Sequence, residues 1–131
     1  MKIIADTNVL LRLIVADDAK QCSAAMAAMD GAEIVAVSLH ALCELAWVLQ
    51  RSYDVSRTDT AAAIRQLMDT QNIVLNRAAV EAGLSILDSG GDFADGVIAF
   101  EGQWLGGETF VSFDQKAVAL LTAQGRSAYT L

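Results

Sequence analysis

The chain reads as an α/β protein, a three-layer α/β/α sandwich around a parallel sheet of about four or five strands. Three observations lead there. Short apolar runs rich in β-branched residues, such as Ile3-Ile4 and Ile34-Val35-Ala36-Val37, recur along the chain, and each is followed by a stretch of helical character. There are no prolines, and no linker, repeat or low-complexity tract interrupts the alternation. The length, 131 residues, suits one ordinary domain with a real core, so the organisation expected is a single domain over residues 1–131.

The elements follow in order. Ile3-Ile4 is a first strand that stops at a carboxylate, Asp6, and residues 9–14 then read as a helix. Asp17-Asp18 offers a cap for an Ala-rich helix over 19–29, closed by Asp30-Gly31. Residues 34–37 form the second strand, and Ser38 caps a long helix over 39–53. A further helix starts at 56–58, with Ile64, Leu67 and Met68 as its apolar stripe. Ile73-Val74-Leu75 is a short third strand, followed by a helix over 78–88. Ser89-Gly90-Gly91 is the clearest loop and delivers the chain to Asp92-Phe93-Ala94-Asp95, from which a helix runs toward Trp104. Gly106-Gly107 is a turn, residues 109–112 a strand, 115–123 the last helix, ended by Gly125, and 127–131 a final short strand.

Composition narrows the function. Apolar residues make up 54%, which excludes disorder, and aromatic residues only 6%, so the core is built from Ala, Val, Leu and Ile. Nine basic against 16 acidic residues leave a net charge of −7, the opposite of a basic nucleic-acid platform. Such a balance still admits a site whose own negative charge is neutralised by bound cations. Cys22 and Cys43 form neither a close pair nor a CxxC motif, so a reducing compartment is expected. The first apolar stretch carries Asp6 and Arg12, unlike a secretory signal, and the longest run, 34–49, contains His40 and Glu44. The expectation is a cytoplasmic protein.

The acids are the informative residues. Asp6 lies where the first strand gives way to a helix, the sheet edge at which open α/β proteins bind ligands; the competing reading is a helix cap. Glu44 sits among Leu42, Leu45, Trp47, Val48 and Leu49, so it is expected either in a buried cleft or pointing through a gap to solvent. Asp92 and Asp95 are spaced to face one way at a helix start, and an acidic capping box would use them too. Asp114 follows a strand and precedes the last helix. Parallel strands would bring Asp6 and Asp114 to one edge, with Asp95 and Glu44 reaching the same place. Carboxylates gathered there repel one another unless a divalent cation sits among them, and oxygen ligands without imidazole or thiolate suit Mg²⁺ or Mn²⁺.

With these motifs in place the sequence resembles the PIN-domain family, and within it the VapC-like toxins of toxin–antitoxin pairs. The resemblance is carried by Ile4-Ala5-Asp6-Thr7-Asn8-Val9, the Glu44 helix, Asp92-Phe93-Ala94-Asp95-Gly96-Val97-Ile98-Ala99, and Val111-Ser112-Phe113-Asp114. It implies Asp6, Glu44, Asp95 and Asp114 as the catalytic acids and Asp6, Asp95, Asp114 and Asp92 as metal ligands, with Thr7, Asn8 and Ser112 in support. It implies a Mg²⁺- or Mn²⁺-dependent endoribonuclease working through a metal-activated water. The partners it implies are an RNA substrate, a cognate antitoxin protein and a second copy of the chain in a homodimer.

Contacts to the RNA backbone fall to local cations such as Arg12, Arg51, Arg57 and Lys116. The lone histidine, His40, does not suit metal-free cleavage through a cyclic phosphate, which wants two acid/base groups near neutrality. A haloacid-dehalogenase-type phosphatase would need an Asp at position 8, where Asn8 stands, and a receiver domain would need a carboxylate near Asn76. The alternative within the family is a catalytically weak module, serving as the partner-binding subunit of a DNA-bound regulatory complex.

Overall fold

Every strand in the structure is short and every strand pairing is parallel. The computed structural model describes residues 1–131, which form two compact units, Met1–Asn76 and Arg77–Leu131.

The first unit runs β1 (Lys2–Ile4), α1 (Thr7–Ile14), α2 (Ala19–Gly31), β2 (Ile34–Ala36), α3 (Leu39–Ser52), α4 (Arg57–Met68) and β3 (Ile73–Val74). Its sheet has the order β1-β2-β3, with Ile3 opposite Val35 and Val35 opposite Ile73. Its helices begin where side-chain oxygens satisfy the orphan amides of the first turn. Asp18 Oδ1 accepts from Gln21 N, Ser38 Oγ from Ala41 N and Ser56 Oγ from Asp59 N, each at 3.0 Å. Leu10, Val35, Leu42, Leu45, Leu49 and Ile64 are fully buried and form its core.

The second unit runs α5 (Arg77–Asp88), α6 (Phe93–Trp104), β4 (Phe110–Ser112), α7 (Gln115–Ala123) and β5 (Ala128–Thr130). β4 and β5 pair in parallel, with Val111 opposite Tyr129. Ile86, Ala99 and Leu121 form a buried cluster that Phe110, Leu120 and Ala128 close over.

α5 and α6 approach closely because neither carries a side chain at the crossing. A Cβ at Gly96 would lie 2.4 Å from the Ala82 carbonyl oxygen, and one at Gly83 would lie 2.7 Å from the Phe93 ring. In an α-helix glycine costs about 1 kcal/mol relative to alanine, so its use here trades propensity for contact.

This is the α/β/α plan expected, with seven helices and parallel strands, but the five strands form one sheet of three and one of two rather than a single sheet. Strands of two or three residues carry a direction and an apolar run, and neither specifies a neighbour.

One local expectation fails. Asp30-Gly31 does not close α2, because Gly31 is still helical and the chain turns at Ala32, whose N–H reaches the Met29 carbonyl. At α3 the structure decides between the two expectations for Glu44 in favour of solvent. Leu42, Leu45, Ala46 and Leu49 make one buried stripe, while Glu44 and Trp47 are exposed.

Candidate metal centre

Asp92, Asp95 and Asp114 meet in the second unit. One carboxylate oxygen from each lies within 4.8 Å of the others. Asp92 and Asp95 come from the start of α6. Asp92 occupies the N-cap position and its backbone carbonyl accepts from Asp95 N at 3.1 Å, but its side chain makes no capping hydrogen bond. The capping box that this spacing also allows is therefore not formed, and the Asp92 carboxylate is left to face its neighbours.

Asp114 does cap. Its Oδ1 accepts from Lys116 N at 3.0 Å and from Ala117 N at 3.1 Å, which fixes the carboxylate at the start of α7. Ser112 supports it from behind, its Oγ accepting from Asp114 N at 3.0 Å.

The three carboxylates gather negative charge in one place. Asp92 and Asp114 are exposed and Asp95 half-buried. Burial raises the Asp95 carboxyl above the usual carboxylate range, and the charges of Asp92 and Asp114 push it further the same way. The amino ends of α6 and α7 offset part of this cost, since helix N-termini favour negative charge. Three oxygens this close, all from carboxylates, could hold a divalent cation.

The other expected site residues lie in the first unit. Asp6 is the N-cap of α1, exposed, its Oδ1 accepting from Thr7 N at 2.8 Å. Thr7 is buried beneath it and Asn8 is exposed. Glu44 is not buried. Its side chain is 54% exposed on α3, and Oε1 lies 2.9 Å from His40 Nε2, one turn earlier. An acid on the solvent side of an amphipathic helix needs no buried counter-charge, which removes the argument that made Glu44 stand out by burial.

Arg12 is not a loose surface cation. Its Nε donates to Gln21 at 2.7 Å and its guanidinium to Asp17 at 2.7 Å, while Tyr53 Oη donates to the same Asp17 carboxylate at 3.1 Å.

Gly83 and Gly96, which hold α6 against α5 and so set where Asp92 and Asp95 stand, were not singled out by sequence reasoning. Two glycines inside otherwise helical runs are the signal that finds them.

No curated protein matches the chain. The PIN domain family matches residues 3–120. That span takes in the acidic turn of α6 and Asp114, and PIN domains are generally metal-dependent nucleases. The chain therefore belongs to the PIN domain family.

Proposed function

We propose that the protein is a Mg²⁺- or Mn²⁺-dependent endoribonuclease, the toxin component of a VapC-like toxin–antitoxin pair. The observation that carries the reading is the group formed by Asp92, Asp95 and Asp114, with the Asp92 side chain free of capping duty. Asp95, Asp114 and Asp92 would hold the ion, and the order of the motifs along the chain adds Asp6 to the acids of the reaction. When bound, a divalent ion lowers the pKa of a water and stabilises charge on the phosphate and the leaving 3′ oxygen.

The chain's own residues prepare this. Ser112 and the two amides of α7 hold Asp114 in one orientation. The order of the motifs likewise gives Glu44 as a further acid of the reaction; it is exposed on α3 with Oε1 against His40.

The toxin role, the antitoxin partner and the homodimer rest on the order of the four motifs along the chain, and the cytoplasmic setting on the unpaired cysteines. Both cysteines are free. No helix is long and apolar enough to cross a membrane.

The test is cleavage of cellular RNA by the purified chain with Mn²⁺ or Mg²⁺ and with chelator. Wild type should cut only with metal, and Asp6→Asn and Asp95→Asn should fold and not cut. Cleavage retained by Asp95→Asn, in a preparation shown free of contaminating nuclease, would refute the assignment. Sequencing the cleaved ends after brief expression then identifies the RNA target.

A further inference from the structure

The carboxyl end of α6 and the start of β4 form a face that the second unit leaves uncovered. Ile98, Gly102 and Leu105 recur at i, i+4 and i+7, so they share one side of the helix. Ile98 and Leu105 are exposed, Leu105 at 90%. Beside them opens a cavity of about 240 Å³, walled by Ile98, Ala99 and Gly102 from α6 and by Phe110 and Val111 from β4. An apolar cavity of roughly 150 Å³ already holds a benzene, so this one has room for a whole aliphatic side chain.

Gly102 has no explanation within its own chain. Glycine is the poorest residue after proline for a helix interior. At Gly83 and Gly96 a neighbour stands where a Cβ would go, whereas a Cβ at Gly102 would meet nothing within 4 Å. The room is open to something from outside. The backbone around it is fixed: Gly106 N donates to the Gln103 carbonyl at 3.0 Å and Gly107 N to the Gly102 carbonyl at 2.9 Å, with Gly106 at φ +101°.

Two charges on the rim of the cavity identify the occupant. Glu108 has no cationic partner, and Arg126 donates to the neutral Gln103, at 2.8 Å, and to no carboxylate. A face with one unpaired charge of each sign matches itself when a two-fold axis turns it over, acid to base twice. A partner carrying a single charge would satisfy one and leave the other covered and unpaired.

We propose that this face binds a second copy of the chain about a two-fold axis. Leu105 of each copy enters the cavity of the other, Gly102 gives the backbones room to approach, and Glu108 of each is set against Arg126 of the other. The contact does not depend on the ribonuclease reading, and it gives the homodimer of that reading a surface. Leu105 lies ten residues beyond Asp95 on α6, roughly 15 Å along the axis, so pairing here keeps clear of the acids.

Sedimentation equilibrium of the full chain in chelator, from about 1 µM to about 1 mM, should show monomer and dimer and nothing larger. Leu105→Ala removes three carbons from each of two contacts and should weaken association by about 30- to 900-fold. Gly102→Ala fills the gap and should weaken it by about 5- to 150-fold. The same change should raise the melting temperature of the dilute monomer by about 2–8 °C, because alanine is the better helix former. Glu108→Arg and Arg126→Glu should each weaken association by about 2- to 30-fold, and the double reversal should restore it.

A wild type that stays monomeric, oligomers that grow beyond the dimer, or a dimer indifferent to Leu105→Ala or Gly102→Ala would overturn the face. So would a double reversal as weak as the single ones. The two readings fail separately. A dimer untouched by every variant sinks only this face, whereas association that follows the variants in a chain that cuts no RNA sinks only the ribonuclease.

Discussion

Replacing Asp95 with Asn should stabilise the metal-free protein and at the same time abolish its response to metal. Asp95 faces Asp92 and Asp114 with oxygens within 4.8 Å. Two unit charges at that distance repel by about 0.9 kcal/mol in bulk water and by about 3.5 kcal/mol at an effective dielectric of 20. Asp95 is half-buried and its partners exposed, so the lower figure is nearer. Asn keeps the shape and removes two such repulsions, a gain of about 1–2 kcal/mol. For a chain of this length that raises Tm by several degrees, at about 2–8 °C per kcal/mol.

With metal the sign reverses. Mn²⁺ at a hundred times its Kd stabilises a specific site by about 2.7 kcal/mol. Wild type should gain that much, and Asp95→Asn, short of a charge and a ligand, little of it. Thermal melts of both proteins in chelator and in Mn²⁺ read all four values. A variant that melts below wild type in chelator, yet shifts as far as wild type with Mn²⁺, would show that Asp95 is a structural residue and that the three acids do not form a metal centre.

Further predictions concern proton linkage and packing. Because Asp95 titrates above its ordinary range in the folded chain, the unfolded chain ionises first as pH rises. The metal-free fold should therefore lose stability between the usual Asp pKa and the raised one, and chelated melts across that window should fall for wild type but stay flat for Asp95→Asn. Thr60 is fully buried and its Oγ1 has no hydrogen-bond partner, so Thr60→Val should stabilise by about 1 kcal/mol in urea unfolding; a loss would reveal a partner for the hydroxyl. Gly96→Ala places a Cβ 2.4 Å from a backbone oxygen of α5 that cannot step aside, and should cost about 1–3 kcal/mol and weaken Mn²⁺ binding. A stable variant with unchanged metal affinity would show that the α5–α6 contact does not set the site.

Much of this was legible because local chemistry decided it. Ser38 and Asp18 cap helices in the structure, and their residue types announced as much. The spacing of Asp92 and Asp95 placed both on one side of α6. Whether they cap or face a ligand was undecided by spacing, since both uses need the same geometry; the missing Asp92 capping bond separated them. Of the two readings of Glu44, the structure shows the one open to solvent, because its apolar neighbours along the chain fall largely on another side of the helix. The division of the strands between two sheets was not legible, because pairing partners of two-residue strands are chosen by tertiary packing. The same holds for Gly83 and Gly96, whose purpose shows only once the second helix is in place.

The recess that two missing side chains leave between α5 and α6 has a mechanical consequence. The Phe93 ring fills the space above Gly83, so α6 cannot slide along its neighbour without leaving that seat. Its first turn is thereby indexed against a rigid rail, and two of the three carboxylates ride on it. An incoming ion should find those two already spaced, and its capture should proceed without refolding of the segment that bears them.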